Sequence, residues 1–348
     1  MSAKILTSAL ARDADRRQLL AAATGLAALA ATAGRAKAAP STLGKIDTHQ
    51  HFFPKVYVDA VGLDTLAAQM PNKKAPEWSP DLAIEVMDQN GIAEGIISVS
   101  SGPPIPNAPR LLRACNDAAA DLRAKRPGRF GSFASLPLPD VDASLKEAAH
   151  ALDDLKADGV IIFASYDGKY LGDPLYNPLW EELNRRHAVV FIHPNQPPYA
   201  VPPIAPASVL EFPFETTRTA TSLIIAGAHH TYPNIKFILS HAGGTLPYLV
   251  PRLSLSFSMM PGVAERVGDP KAAFAKFYYD TALSAGPSTL AALAEVAPPE
   301  HVLFGTDFPM APRPAISAFN VELDHVEPVQ RRRIHRTNAA KLLSRRVA

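Results

Sequence analysis

Eight short apolar runs, each closed by a Gly, Pro or polar breaker and separated by longer stretches of helical pattern, occupy the chain between residues 45 and 307. Parallel strands cannot be joined by tight turns, so this alternation is the mark of repeated βα units. The runs are KIDTHQHF (45–52), GIISVS (95–100), FGSFASL (130–136), GVIIFAS (159–165), AVVFIHP (188–194), IKFILSH (235–241), KFYYDTA (276–282) and HVLFGTD (301–307). Between them lie segments such as SPDLAIEVMDQNG and DASLKEAAHALDDLKADG, with a helix-starting Ser or Asp in front and a Gly behind. Eight such units predict an α/β protein, a single (β/α)8 TIM-type barrel, which takes about 250 residues before insertions. Proline clusters follow the second, fifth and eighth runs, in SSGPPIP, HPNQPPYAVPPIAP and DFPMAPRP. Those are the βα loops, where barrels carry their chemistry.

Composition narrows the chemistry. Thirty-five Lys and Arg against 33 Asp and Glu leave a net charge of +2 and no basic stripe, so nucleic acid is not an expected partner. The single cysteine, Cys115, rules out an internal disulfide framework and a Cys-rich zinc site. A bound metal would have to use the 11 histidines and the carboxylates.

The first 38 residues read as an address separate from the fold. Arg16-Arg17 precede an uncharged run from Gln18 to Gly34, then Arg35 and an A-x-A pattern at Ala36-Lys37-Ala38. The layout resembles a twin-arginine export signal, with Asp15 where Ser or Thr is usual. The expectation is a leader at 1–38 and a barrel domain at 39–348, exported or periplasmic with no membrane span after cleavage, and cytoplasmic if the leader is not used. Without the leader the charge balance turns to 29 basic against 31 acidic residues.

His49 and His51 stand two apart on the first run, so as strand residues they project from one face, about 7 Å apart along the chain. Alone, H-x-H fits two hydrogen-bonded histidines as well as a metal site. His193 closes the fifth run, His241 the sixth and Asp307 the eighth. Singly each has an ordinary strand-end or turn use. All five fall at the ends of strands that converge on one face of a barrel, which predicts a divalent-metal site there. Cys115 reads as a small buried helical side chain, and His229, His230 and His325 as surface or cap residues. Asp280, in YYDTA, suits either support of the metal site or a strand-end acid. Arg331, Arg332 and Arg333 read as a solvated helix face.

The ordered motifs IDTHQH, FIHP, SHAGG and FGTDFP, over about residues 44–343, resemble the amidohydrolase superfamily, and within it the branch of aminocarboxymuconate-semialdehyde decarboxylase and the hydroxybenzoate decarboxylases. Segments such as RACNDAAADLRAKRPGRFGSFASLP and HVLFGTDFPMAP are most similar to the 6-methylsalicylate decarboxylase group of that branch. The resemblance implies that His49, His51, His193 and Asp307 hold one divalent ion, zinc first and manganese as the alternative. It places His241 beside them as a catalytic acid/base or orienting group. Arg252 matches an arginine that reaches the substrate carboxylate in a neighbouring subunit, which implies a functional homodimer. Binuclear members of the superfamily bridge two ions with a lysine on strand 4; GVIIFAS has none, so one ion is expected.

The activity so implied is non-oxidative decarboxylation of an ortho-hydroxybenzoate. Asp307, or His241 through it, would protonate the carbon bearing the carboxylate. Phe52, Phe53 and Phe308 are candidates to wall the aromatic ring, with plain core packing as the alternative. Two rivals use the same ligands: a hydrolase attacking a lactone or amide with metal-activated water, and a non-catalytic metal-binding protein.

Overall fold

The computed structural model describes residues 44–99, 107–202 and 204–344. The expected leader at 1–38 lies outside them. Eight parallel strands form one sheet in sequence order: β1 (Lys45–His51), β2 (Ile92–Ser98), β3 (Phe130–Ser135), β4 (Gly159–Phe163), β5 (Val189–His193), β6 (Lys236–Leu239), β7 (Tyr278–Asp280) and β8 (Val302–Leu303). Three backbone hydrogen bonds join the last strand's continuation to the first: Thr48 N to Phe304 O at 2.9 Å, Asp307 N to His49 O at 2.8 Å and His51 N to Phe308 O at 2.7 Å. The sheet is thereby the predicted (β/α)8 barrel.

Capping explains where the intervening helices start. In the helix Pro80–Gln89 the Ser79 side chain accepts from Leu82 N at 3.1 Å and proline takes the first turn, where no N–H is needed. Asp140 caps the helix Val141–Ala149 in the same way. β2 begins at Ile92, three residues earlier than the apolar run suggests, because the chain pairs with Lys45 as soon as Asn90-Gly91 ends the preceding helix. β7 and β8 are shorter than their runs. Their outer residues leave the ladder to carry side chains into the barrel mouth.

Two cores result. Ile46, Ile96, Phe133, Ile161, Phe191, Ile238 and Leu303 point inward and fill the barrel, plugged by Ala339 and Ala340 of the C-terminal helix and by Leu343 just beyond its end. A larger layer, with Trp180, Leu183, Phe257 and Phe274, seals the outer face of the strands against the helices. Bulky residues low in the barrel leave the histidines one layer higher, at the C-terminal mouth. Phe191 is the floor beneath them, its ring 4.8 Å from that of His49. Cys115 is buried in the helix Ala108–Lys125, and burial pushes its thiol up to about 12. Among the described residues no helix is long and apolar enough to cross a membrane.

Candidate active site at the barrel mouth

His49, His51, His193 and Asp307 are all buried, and one ligand atom from each lies within 4.8 Å of every other. Close approach of β8 to β1 depends on Gly305, where a Cβ would stand 2.9 Å from that of His49. Four residues here carry backbone strain. Asp307 (φ 63°), His241 (φ 54°), Ala242 (φ 55°) and Leu283 (φ 52°) occupy the left-handed region that non-glycine residues avoid. Such strain persists only where surrounding contacts hold it, and those contacts are specific.

Each imidazole has an acceptor beside Nδ1. His49 Nδ1 donates to Asp280 Oδ2 at 2.8 Å, His193 Nδ1 to the Pro194 carbonyl at 2.7 Å, and His241 Nδ1 to the Ala282 carbonyl at 3.0 Å. Ser98 Oγ sits 3.3 Å from His51 Nδ1 and donates its own proton to Gln50 O at 3.2 Å, so it accepts from His51. With every proton on Nδ1, the Nε2 lone pairs face the centre. His49 Nε2 and His51 Nε2 are only 3.2 Å apart, and Asp307 Oδ1 stands 3.3 Å and 3.1 Å from them. Asp307 Oδ1 is buried without a hydrogen-bond partner. Three acceptors pressed together with no donor between them fit a cation, and three nitrogens with one carboxylate suit a divalent transition metal.

Electrostatics agrees. Burial holds His51 below the usual histidine range, and burial with the neighbouring imidazoles holds His193 well below it. At His49 burial also opposes charge, but the Asp280 and Asp307 carboxylates outweigh it, so positive charge is favoured beside this imidazole. Despite its own burial, Asp307 is kept well below the usual carboxylate range by His49. The site favours positive charge at its centre and a carboxylate that remains ionised.

One residue set behind the ligands has no counterpart in the sequence reading. Asp47 Oδ1 accepts from His49 N at 3.1 Å and Thr306 N at 3.0 Å, while Oδ2 accepts from Gln50 Nε2 at 2.7 Å and Thr306 Oγ at 2.5 Å. It rivets the two segments carrying His49, His51 and Asp307. Burial raises its carboxyl to about 6 although those donors pull the other way. A buried acid two residues before H-x-H was the available signal.

A cavity of about 460 Å³ opens beside the cluster, reaching His193, His241 and Asp307 and walled by Met70, Phe212 and Met310. Phe52, Phe53 and Phe308 do not wall it. Phe52 packs on Trp78 at 5.7 Å, Phe53 on Tyr57 at 6.2 Å, and all three are buried in the outer core. Two of them follow His51 directly, where the chain turns from the strand into a helix and its side chains face away from the mouth. Arg252 is exposed on the helix Leu246–Met259, outside the cavity. The loop after β5 forms one wall and is tied down by fully buried Glu215, which accepts from Tyr199 Oη at 2.9 Å, Tyr170 Oη at 3.0 Å and Arg218 Nη1 at 3.0 Å.

The amidohydrolase family profile matches residues 46–345. The chain is 40% identical over 296 residues to the 6-methylsalicylic acid decarboxylase of Penicillium expansum, covering 82% of this chain and 91% of that one. It is 28% identical to the 2-amino-3-carboxymuconate-6-semialdehyde decarboxylase of Dictyostelium discoideum, covering 76% and 81%. A crystal structure of 2,6-dihydroxybenzoate decarboxylase complexed with 2,6-dihydroxybenzoate superposes with a TM-score of 0.70 at 25% identity, covering 86% of this chain and 99% of that one.

Proposed function

We propose, from the premise that the chain belongs to the amidohydrolase family and to its decarboxylase branch, that this protein is a metal-dependent carboxy-lyase that removes CO2 from a 6-methylsalicylate-like hydroxybenzoate. The observation that carries the reading is the 40% identity to a 6-methylsalicylic acid decarboxylase across nearly the whole barrel, joined to a buried donor set aimed at one point. His49, His51, His193 and Asp307 would hold the ion, with zinc as the first choice for this donor set and manganese as the alternative. When bound, it supplies Lewis acidity toward the substrate's anionic oxygens.

The protein's own groups do the rest. His241 spends its Nδ1 proton on the Ala282 carbonyl, so Nε2 is the position that exchanges a proton with the cavity. His241 delivers a proton from Nε2 to the ring carbon bearing the carboxylate, with the ionised Asp307 lining the same cavity. That C–H bond forms as aromaticity is lost; the C–C bond then breaks, its electron pair restores the ring and CO2 leaves. Met70, Phe212 and Met310 exclude water and hold the ring by apolar contact.

Among the described residues no Lys or Arg lines the cavity. Beyond the ion, a side-chain cation for the substrate's carboxylate would come from outside this wall, in keeping with a homodimer in which Arg252 serves the partner's site. The helix carrying it exposes Tyr248 (83%), Leu255 (65%) and Met259 (74%) at helical spacing on the side of Arg252. Residues 1–38 are proposed as a twin-arginine type leader ahead of the barrel domain 39–348, giving an exported or periplasmic enzyme. The hydrolase alternative gains nothing from the relatives, which are named as decarboxylases. The test is metal-loaded protein with 6-methylsalicylate: 3-methylphenol and CO2 are expected, and no turnover across a panel of hydroxybenzoates overturns the reading.

A further inference from the structure

We propose that Asp280 is a positioning residue with two separable tasks, one for each carboxylate oxygen: Oδ2 aims the donor nitrogen of His49, and Oδ1 holds the strained turn that presents His241. The inference deepens the metal-site reading above and rests on it. Asp280 is the last residue of β7 and is completely buried. Its Oδ2 lies 2.8 Å from His49 Nδ1, while its Oδ1 accepts from His241 N and Ala282 N, both at 2.9 Å.

A carboxylate can only accept, so the Oδ2 contact requires the proton on His49 Nδ1 and leaves the Nε2 lone pair toward His51 and Asp307. The other oxygen addresses a different problem. His241 and Ala242 are consecutive non-glycine residues with positive φ, a strained conformation that persists only where contacts tie it. Asp280 ties the backbone of His241, and the next residue but one, Ala282, uses its carbonyl to fix the His241 ring at Nδ1. The three residues 280–282 therefore set the direction of one ligand and of the acid/base together. A strand-end acid that merely satisfies backbone N–H groups would need Oδ1 alone.

The asymmetry yields a decisive variant. In Asp280→Asn the amide oxygen still accepts from His241 N and Ala282 N, but the NH2 now donates to His49 Nδ1. That forces the proton to Nε2 and points an N–H at the ion. Measured by chelator competition with zinc(II) alone, the variant is expected to bind about 10–100-fold more weakly. The visible bands of the cobalt(II) form should change as well. Wild-type zinc affinity in Asp280→Asn overturns the proposal. If the variant does not fold, 15N spectra of the zinc-loaded wild type decide: a proton on His49 Nδ1 supports it and a proton on Nε2 overturns it. None of these readouts needs a substrate. A wild type that binds zinc yet decarboxylates no hydroxybenzoate would sink the proposed reaction and leave the role of Asp280 standing or falling on its own data.

Discussion

Asp47 and Thr306 are 259 positions apart in sequence, yet the threonine donates both its N–H (3.0 Å) and its hydroxyl (2.5 Å) to the one carboxylate. The barrel is closed at the place where it also grips the ligands of both edge segments. Thr306→Val keeps the shape and removes the hydroxyl donor. A hydrogen bond to a charged acceptor is worth about 1.5–3 kcal/mol, so the thermal midpoint should drop by several degrees in calorimetry. An unchanged midpoint would mean that the seam does not depend on this contact.

His241→Gln should keep the metal and lose the proton transfer. General acid/base groups typically contribute 10²–10⁴-fold, so kcat is expected to fall by about that factor while metal content by elemental analysis stays stoichiometric. His193→Ala should instead fail to retain the ion, and its activity loss should match that of chelator-treated wild type.

Arg252→Ala should raise KM for the aromatic acid without changing metal content. Mixed with His193→Ala, it should recover activity. Each hybrid dimer would contain one site with intact ligands on one subunit and an intact arginine on the other. No recovery on subunit exchange would confine Arg252 to its own protomer.

A pH prediction rests on His335, which is not one of the candidate ligands. Burial, with Lys45 and Arg331 nearby, holds this imidazole at about 4, below its ordinary value of 6.5. The folded chain thus refuses a proton that the unfolded chain accepts. The stabilisation is complete above about pH 6.5 and is lost as pH falls toward 4. At pH 5 the loss should reach about 1–2 kcal/mol after allowance for partial exposure. His335→Leu should shrink the difference in thermal midpoint between pH 7 and pH 5 by a few degrees.

Much of the fold could be read from the chain because strands buried on both sides must be apolar throughout, and VVFIH or GVIIF cannot be disguised. The ligands were legible for a related reason: a histidine or aspartate ending such a run sits where barrels open. The misreadings have equally physical origins. Phe52 and Phe53 follow a ligand in sequence, but the chain leaves the strand there, so adjacency to His51 did not mean adjacency to the cavity. Asp280 has two tasks only because β7 ends between β6 and β8, a neighbourhood that no local spacing reveals. The tie from Tyr199 to Glu215 joins a proline-rich loop to a helix, and nothing periodic marks either partner.

The donors for the ion come from β1, β5 and the end of β8, so the grip spans residues 49 to 307. No partial chain emerging from a ribosome can own this site, since its carboxylate arrives with the last strand. Metallation must then follow closure of the barrel. An exported form would have to travel already folded, or else collect its ion from whatever supply exists at its destination.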